Sequence, residues 1–146
     1  MYLMDTTHCI KIMSGDTELR TKISNIIDLQ MATCLIVCGE LMFGLHKSDQ
    51  FAENLRKIES FYEDIPIYGI DFETTDIYGR LKATIIERFG PKDKVKRRNT
   101  KTDSLGFKDN DLWIASIAIQ HKLILVSADK HIHQLQGING LKVESW

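Results

Sequence analysis

Short hydrophobic runs alternate along the chain with longer segments in which apolar residues recur every three or four positions. The hydrophobic runs predict buried strands at residues 1–4, 32–37, 65–70 and 123–126, with a further edge strand at 141–144. The segments between them predict helices at residues 6–13, 17–30, 38–47, 48–62, 72–89 and 110–121. Residues 91–108 show neither the alternation of a strand nor the three- to four-residue repeat of a helix, and they predict a loop. Because strands alternate with helices, the pattern predicts an α/β fold with a mainly parallel central sheet.

Length and composition narrow the class of protein. The 146 residues predict a single domain, residues 1–146, because this length is enough to bury a core. Polar residues interrupt the first apolar run, and no stretch approaches the roughly 20 apolar residues of a membrane span, so neither a leader nor a membrane anchor is expected. The three cysteines, Cys9, Cys34 and Cys38, lack disulfide or zinc spacing and are predicted to be buried thiols. These features predict a soluble, cytoplasmic protein.

Four acidic residues lie in separate segments, each beside a hydrophobic run or early in a predicted helix: Asp5, Glu40, Asp111 and Asp129. Sites in parallel α/β sheets form at the carboxyl ends of strands, so these four side chains can converge on one crevice. Clustered carboxylates repel one another, and a hard divalent cation such as Mg²⁺ or Mn²⁺ removes that repulsion because it takes oxygen ligands. The sequence therefore predicts a metal-dependent enzyme, with phosphodiester cleavage as the favoured chemistry.

Each acidic residue also has a simpler structural interpretation. Asp5 is a good helix N-cap, Glu40 could form a structural ion pair, and Asp129 could be a turn residue after a strand. One residue of the cluster 109–111 is expected to cap the helix that follows. Asp109 is either that cap or an assistant to the neighbouring acid in the crevice.

Basic residues are concentrated in residues 91–102, which hold six Lys or Arg and one Asp, a net charge of +5 in a chain of net charge -1. Such a run is either a solvated, mobile loop or an arm that contacts nucleic-acid phosphates. Lys96, Arg97 and Arg98 are the candidate phosphate contacts.

Four segments resemble the sequence motifs of PIN-domain ribonucleases, most closely the VapC-type toxins of VapBC toxin–antitoxin pairs. In chain order the segments are YLMDTTHCI, ATCLIVCGELMFGLHKS, FKDNDLWIASIAIQHKLILVSADKHIHQL and LKVESW. Together they cover nearly the whole chain. Two positions depart from the family pattern. Thr7 stands where Asn is usual, and Lys130-His131-Ile132 stands where a second acid and a Phe often follow the fourth acid.

The resemblance implies a three-layer α/β/α sandwich and an endoribonuclease that acts on RNA. It implies that Asp5, Glu40, Asp111 and Asp129 hold Mg²⁺ or Mn²⁺, and that a small antitoxin occupies the active-site groove. It also implies a homodimer. Two other functions stay open from the residues. One is a PIN-like RNA- or protein-binding module with a degenerate site, and the other is a small-molecule phosphohydrolase, which the Thr-Thr after Asp5 disfavours.

Overall fold

Five short strands form the central sheet of the computed structural model, which describes residues 1–26 and 29–146. They are β1 (Tyr2–Met4), β2 (Met31–Cys34), β3 (Ile67–Tyr68), β4 (Ile124–Val126) and β5 (Lys142–Glu144). The order across the sheet is β3-β2-β1-β4-β5, and all four neighbouring pairs are parallel. The prediction of a parallel sheet with a fifth strand at its edge is therefore confirmed.

Helices flank this sheet, so the predicted α/β fold class is confirmed as well. The described helices are α1 (Thr6–Ser14), α2 (Thr17–Ser24), α3 (Leu35–His46), α4 (Phe51–Asp64), α5 (Phe72–Phe89), α6 (Lys94–Arg98), α7 (Asp109–Gln120) and α8 (Lys130–Gln134). Short 3-10 turns lie at Thr102–Leu105 and Ile138–Gly140. None of the helices described is both long and apolar enough to cross a lipid bilayer.

Local sequence signals set the bounds of α5. The Asp71 carboxylate accepts the Thr74 N–H at 2.9 Å, and the Thr74 hydroxyl oxygen accepts the Asp71 N–H at 3.1 Å, which forms a capping box. Leu81 and Ile85 are fully buried one turn apart, on the side that packs against α7. The helix covers residues 72–89, as its apolar period predicts.

The second strand is shorter than predicted. The prediction of a strand at residues 32–37 is wrong beyond residue 34. Helix α3 already begins at Leu35, which is 56% exposed, whereas Val37 and Leu41 are buried one turn apart. A short apolar run does not by itself distinguish a buried strand from a buried helix. Contacts made later in the fold decided between them.

Residues 91–108 are not the loop that was predicted. Asp93 caps α6 by accepting the Lys96 N–H at 2.9 Å, and a 3-10 turn follows that ends at Gly106 with φ of 88°. A five-residue helix is too short for an apolar period to appear in its sequence. The predicted helix 17–30 is confirmed as α2 up to Ser24 and is wrong at residues 25–26 and 29–30, which are not helical, and the part of this prediction on Ile27 and Asp28 falls outside the described residues.

The core is built on β1, whose Leu3 and Met4 are fully buried. Cys9, Cys34 and Cys38 are free and buried, as predicted. Burial raises the pKa of the Cys9 thiol to about 12 and that of Cys34 to about 11. Both thiols stay protonated at neutral pH, so they act as small apolar side chains rather than nucleophiles.

Candidate active site

The carboxyl ends of β1 and β4 lie side by side at the centre of the sheet, where the strand order changes direction. Asp5 directly follows β1, and its N–H donates to the Val126 carbonyl of β4 at 3.3 Å. Asp129 is the N-cap of α8, just after β4. Glu40 lies midway along α3, and Asp111 lies in the first turn of α7, which packs against α3. Four separate elements therefore carry the four acidic residues to this crevice.

The pKa of Asp111 reflects the negative charges of the other three carboxylates. Its pKa is raised from 3.8 to about 6, first by burial and then by the negative charge of Asp129. The positive charge of Lys108 lowers the pKa in part, while Glu40 and Asp5 raise it further. The structure thus brings the predicted residues Asp5, Glu40, Asp111 and Asp129 within electrostatic range of one another.

Glu40 is held by two polar side chains that the sequence interpretation missed. The Thr6 hydroxyl donates to Oε2 of Glu40, and Nδ2 of Asn110 donates to Oε1 at 2.7 Å. Both partners are neighbours in sequence of predicted site residues, Asp5 and Asp111. That adjacency was the available signal, and the pairing itself depends on contacts between α1, α3 and α7.

One carboxylate oxygen of Asp5 is anchored by His8. Its Oδ1 accepts the backbone N–H of His8 at 2.9 Å and lies 2.7 Å from Nδ1 of the same residue. Asp5 is therefore the N-cap of α1, as its simpler interpretation predicts. Its Oδ2 accepts no hydrogen bond from any residue that the structure describes.

Asp129 makes the turn contacts expected of a residue after a strand. Its Oδ1 accepts the His131 N–H at 2.7 Å and caps α8, and its own N–H donates to Oγ of Ser127 at 3.2 Å. Its negative charge nevertheless lies close enough to Asp111 to raise the pKa of that residue. A capping role and a place in the acidic crevice are both present at this position.

The donor set of the crevice fits a hard divalent cation. Across residues 1–26 and 29–146, no group of three or more His, Cys, Asp or Glu side chains is arranged closely enough to hold a metal ion, so the fit to a cation rests on the kind of donor atoms that the crevice offers. The available atoms are oxygens: one each on Asp5 and Asp129, and both on Asp111, whose carboxylate has no hydrogen-bond donor within the described chain. The four clustered carboxylates carry negative charges that repel one another. Mg²⁺ and Mn²⁺ are cations that prefer oxygen donors, so either of them would reduce this repulsion.

Asp109 faces a different set of partners from Asp111. It accepts hydrogen bonds from Nζ of Lys82 at 2.6 Å and from the Tyr78 hydroxyl at 2.9 Å, and Lys82 lowers its pKa. Tyr78 in turn stacks on Trp113 with ring centroids 3.7 Å apart. The expected helix cap within 109–111 was wrong, since the N-cap is Lys108 and no side chain caps α7.

Of the three candidate phosphate contacts in the basic segment, two are exposed and one is tied to the backbone. Lys96 and Arg98 are exposed on α6. Arg97 donates from Nε to the Pro91 carbonyl at 3.1 Å and from Nη2 to the Lys92 carbonyl at 2.9 Å. Arg97 therefore stabilises the turn before α6, which the sequence did not predict.

An apolar cleft of about 330 Å³ adjoins the crevice at Glu40. Helices α1, α3 and α4 form its walls, which include Ile10, Met13, Leu41 and Ile58. Ile10 is 52% exposed, so part of this apolar wall is open to solvent. Unpaired apolar surface beside a polar site is typical of places where partners bind.

The sequence model of the PIN domain matches residues 2–138. The chain therefore belongs to the PIN-domain family. It is 28% identical to a protein of Rickettsia felis named Ribonuclease VapC2, over 100% of this chain and 98% of that one. Its fold is similar to that of VapBC2 from Rickettsia felis bound to a promoter DNA fragment, with a TM-score of 0.78, 22% identity and coverage of 99% and 98%. It is also similar to VapBC-5 from Mycobacterium tuberculosis, a member of the VapBC family of toxin-antitoxin systems, with a TM-score of 0.71, 21% identity and the same coverage.

Proposed function

We propose that this protein is a metal-dependent endoribonuclease, the toxin of a toxin–antitoxin pair. The observation that carries the proposal is the placement of Asp5, Glu40, Asp111 and Asp129 by four separate elements in one crevice at the carboxyl edge of the sheet. The raised pKa of Asp111 agrees with this placement. Membership of the PIN-domain family and the name of the Rickettsia felis relative, a ribonuclease, support RNA as the substrate.

In this proposal, Asp5, Glu40, Asp111 and Asp129 hold Mg²⁺ or Mn²⁺. When bound, such a cation lowers the pKa of a water ligand and neutralises charge on the scissile phosphate. Asp111 is the residue best placed to orient the attacking water, because its carboxylate has no other hydrogen-bond partner in the described structure. Thr6 and Asn110 fix the carboxylate of Glu40 from two sides.

We also propose a small antitoxin as the partner and the cytoplasm as the place of action. The solved structures of similar fold include VapBC2 of Rickettsia felis and VapBC-5 of Mycobacterium tuberculosis, a member of the VapBC family of toxin-antitoxin systems. The apolar cleft beside Glu40 supports a protein partner, since a segment seated there would cover Ile10 and reach the edge of the acidic crevice. A homodimer is part of the same proposal and rests on the family resemblance alone.

RNA cleavage by the purified protein is expected to need a divalent cation, because the crevice brings four carboxylates together. Single-stranded and structured RNA would be incubated with the protein and Mg²⁺ or Mn²⁺, and in parallel with excess EDTA. Cleavage is expected only with the cation, and adding Mn²⁺ beyond the chelator should restore it. Equal cleavage in EDTA would contradict the metal-dependent mechanism. RNA binding without any cleavage would instead favour the binding module with a degenerate site.

The exposed cations of α6 are expected to contribute RNA affinity that does not depend on sequence. Changing Lys96 and Arg98 together to Ala removes two potential phosphate contacts and leaves Arg97 to hold the turn. The slope of log affinity against log salt should then decrease by about 1.4, at about 0.7 for each contact with single-stranded RNA. Binding would be measured at several salt concentrations in a background that carries Asp111→Asn.

The matched control changes Arg80 and Lys142 to Ala, which removes the same charge from exposed positions outside residues 91–102. Its salt slope should stay within about 0.3 of the parent slope, because neither residue belongs to the basic segment. An equal decrease in both double variants would mean that net charge, rather than α6, sets the affinity.

A further inference from the structure

His8 is a fully buried histidine that contacts an acidic residue of the crevice. It lies in the first turn of α1, three residues after Asp5. Its Nδ1 is 2.7 Å from Oδ1 of Asp5, and its Nε2 is 3.4 Å from the backbone oxygen of Trp146. Both neighbouring atoms are oxygen acceptors, so a neutral imidazole donates to only one of them, and the shorter contact, with Asp5, is the hydrogen bond.

Both hydrogen bonds from His8 to Asp5 end on the same carboxylate oxygen. The backbone N–H of His8 donates to Oδ1 at 2.9 Å, and the ring reaches the same atom at 2.7 Å. An ionised carboxylate only accepts hydrogen bonds, so Nδ1 carries the hydrogen in this pair. With Oδ1 held twice, the carboxylate cannot rotate freely, and Oδ2 stays available on a side chain that is 18% exposed.

The far side of the imidazole is closed by the segment Ser145–Trp146. Nζ of Lys22 donates to the Ser145 carbonyl at 2.9 Å and lies 5.8 Å from the centre of the Trp146 ring. The Trp146 ring also packs against Tyr2 of β1, with centroids 4.9 Å apart. These contacts place the Trp146 backbone oxygen against Nε2 of His8. The ring is therefore confined between this segment and Asp5.

We propose that His8 is a positioning residue that fixes the Asp5 carboxylate with Oδ2 presented to the divalent cation. This inference rests on the proposed function, since it requires Asp5 to be a metal ligand. His8 does not ligate the cation itself, because both ring nitrogens are directed at other partners. A hydrogen bond that orients a ligand typically changes metal affinity or activity by about 10- to 100-fold when it is removed.

The test compares His8→Leu, which removes the ring hydrogen bond, with His8→Asn, whose amide can take the place of Nδ1. Mn²⁺ affinity is measured without RNA, from the rise in thermal unfolding midpoint over a series of Mn²⁺ concentrations. His8→Leu is expected to weaken Mn²⁺ binding by about tenfold or more, and His8→Asn to stay within about threefold of wild type. RNA cleavage at saturating Mn²⁺ should follow the same order.

Cys9→Ala is the matched control, because Cys9 is equally buried in the same turn and its thiol faces the Met4 carbonyl and the Thr33 hydroxyl. It should lower the midpoint of the metal-free protein and leave the Mn²⁺ dependence unchanged. Should His8→Leu not fold, His8→Gln replaces it, since its longer side chain places the amide near the former Nε2.

The outcomes separate this inference from the proposed function. If wild type shows no Mn²⁺ effect, or if Asp5→Asn keeps the full effect, the proposed metal site itself is wrong. If Asp5→Asn loses the effect while the His8 variants match wild type, only the positioning role is overturned. If His8→Asn weakens binding as much as His8→Leu, the imidazole acts through packing rather than through its hydrogen bond to Asp5, and the inference is wrong.

Discussion

Replacing Asp111 by Asn is expected to abolish metal-dependent RNA cleavage and to stabilise the metal-free protein at neutral pH. The change keeps the size of the side chain and removes one charge from a crowded group of carboxylates. Cleavage should decrease by at least about a hundredfold, because the lost charge is one that the cation and the attacking water need in place. Single-turnover cleavage at saturating Mg²⁺ measures this decrease.

The stability effect follows from the raised pKa of Asp111, about 6 in the folded protein against 3.8 for an ordinary Asp. The unfolded chain loses this proton first as pH rises, so the stability that the protonated group provides is present below about pH 4 and is lost by about pH 6. Asp111 is only partly buried, so solvent screening reduces the effect to about 1 kcal/mol. Metal-free Asp111→Asn should therefore be more stable than wild type by about this amount at pH 7.

Asp109→Asn is the control for this prediction, since it is the same substitution two residues away. Asp109 pairs with Lys82 and Tyr78 rather than with the acidic crevice, and its pKa is lowered. Cleavage should remain within a few-fold of wild type, and stability at pH 7 should not increase. The measurement is denaturant unfolding in EDTA from pH 4 to pH 8. A steeper loss of stability with pH in Asp111→Asn than in wild type would contradict the assignment.

Replacing Glu40 by Gln is also expected to abolish cleavage while the fold is retained. The Gln carbonyl can still accept from Asn110, and its amide can donate to the Thr6 hydroxyl, so the local hydrogen bonds can be remade. What is lost is a negative charge toward the cation, and cleavage should decrease by at least about a hundredfold. Mn²⁺-dependent stabilisation of the protein should weaken in parallel, which thermal unfolding with and without Mn²⁺ would measure.

Thr6→Val provides the comparison for Glu40, because it removes one hydrogen bond and keeps the charge. Its cleavage should decrease by only about tenfold, in keeping with the loss of a residue that orients a ligand. If Glu40→Gln unfolds well below wild type in EDTA, Glu40 is a structural partner of Thr6 and Asn110, and its role in holding the cation would be wrong.

The sequence by itself determined the fold class, most element positions and the residue types of the candidate site. Alternating periods predicted the parallel sheet, and the apolar repeat of residues 72–89 predicted the extent of α5. Asp5 and Asp129 could be predicted because a residue that follows a parallel strand lies at the carboxyl edge of the sheet. These features depend on the local sequence, so they can be identified in a single chain.

Only the tertiary structure decided which partner each acidic residue takes. Thr6 is 34 residues from Glu40 in the sequence, and Asn110 is 70 residues from it. No repeat in the local sequence predicts either pairing. The same holds for Asp109, which the sequence left as a helix cap or as an assistant to Asp111 and which pairs with Lys82 instead. The start of α3 at Leu35 and the burial of His8 were likewise settled by packing, because an apolar run or a lone histidine fits several environments until neighbouring elements close around it.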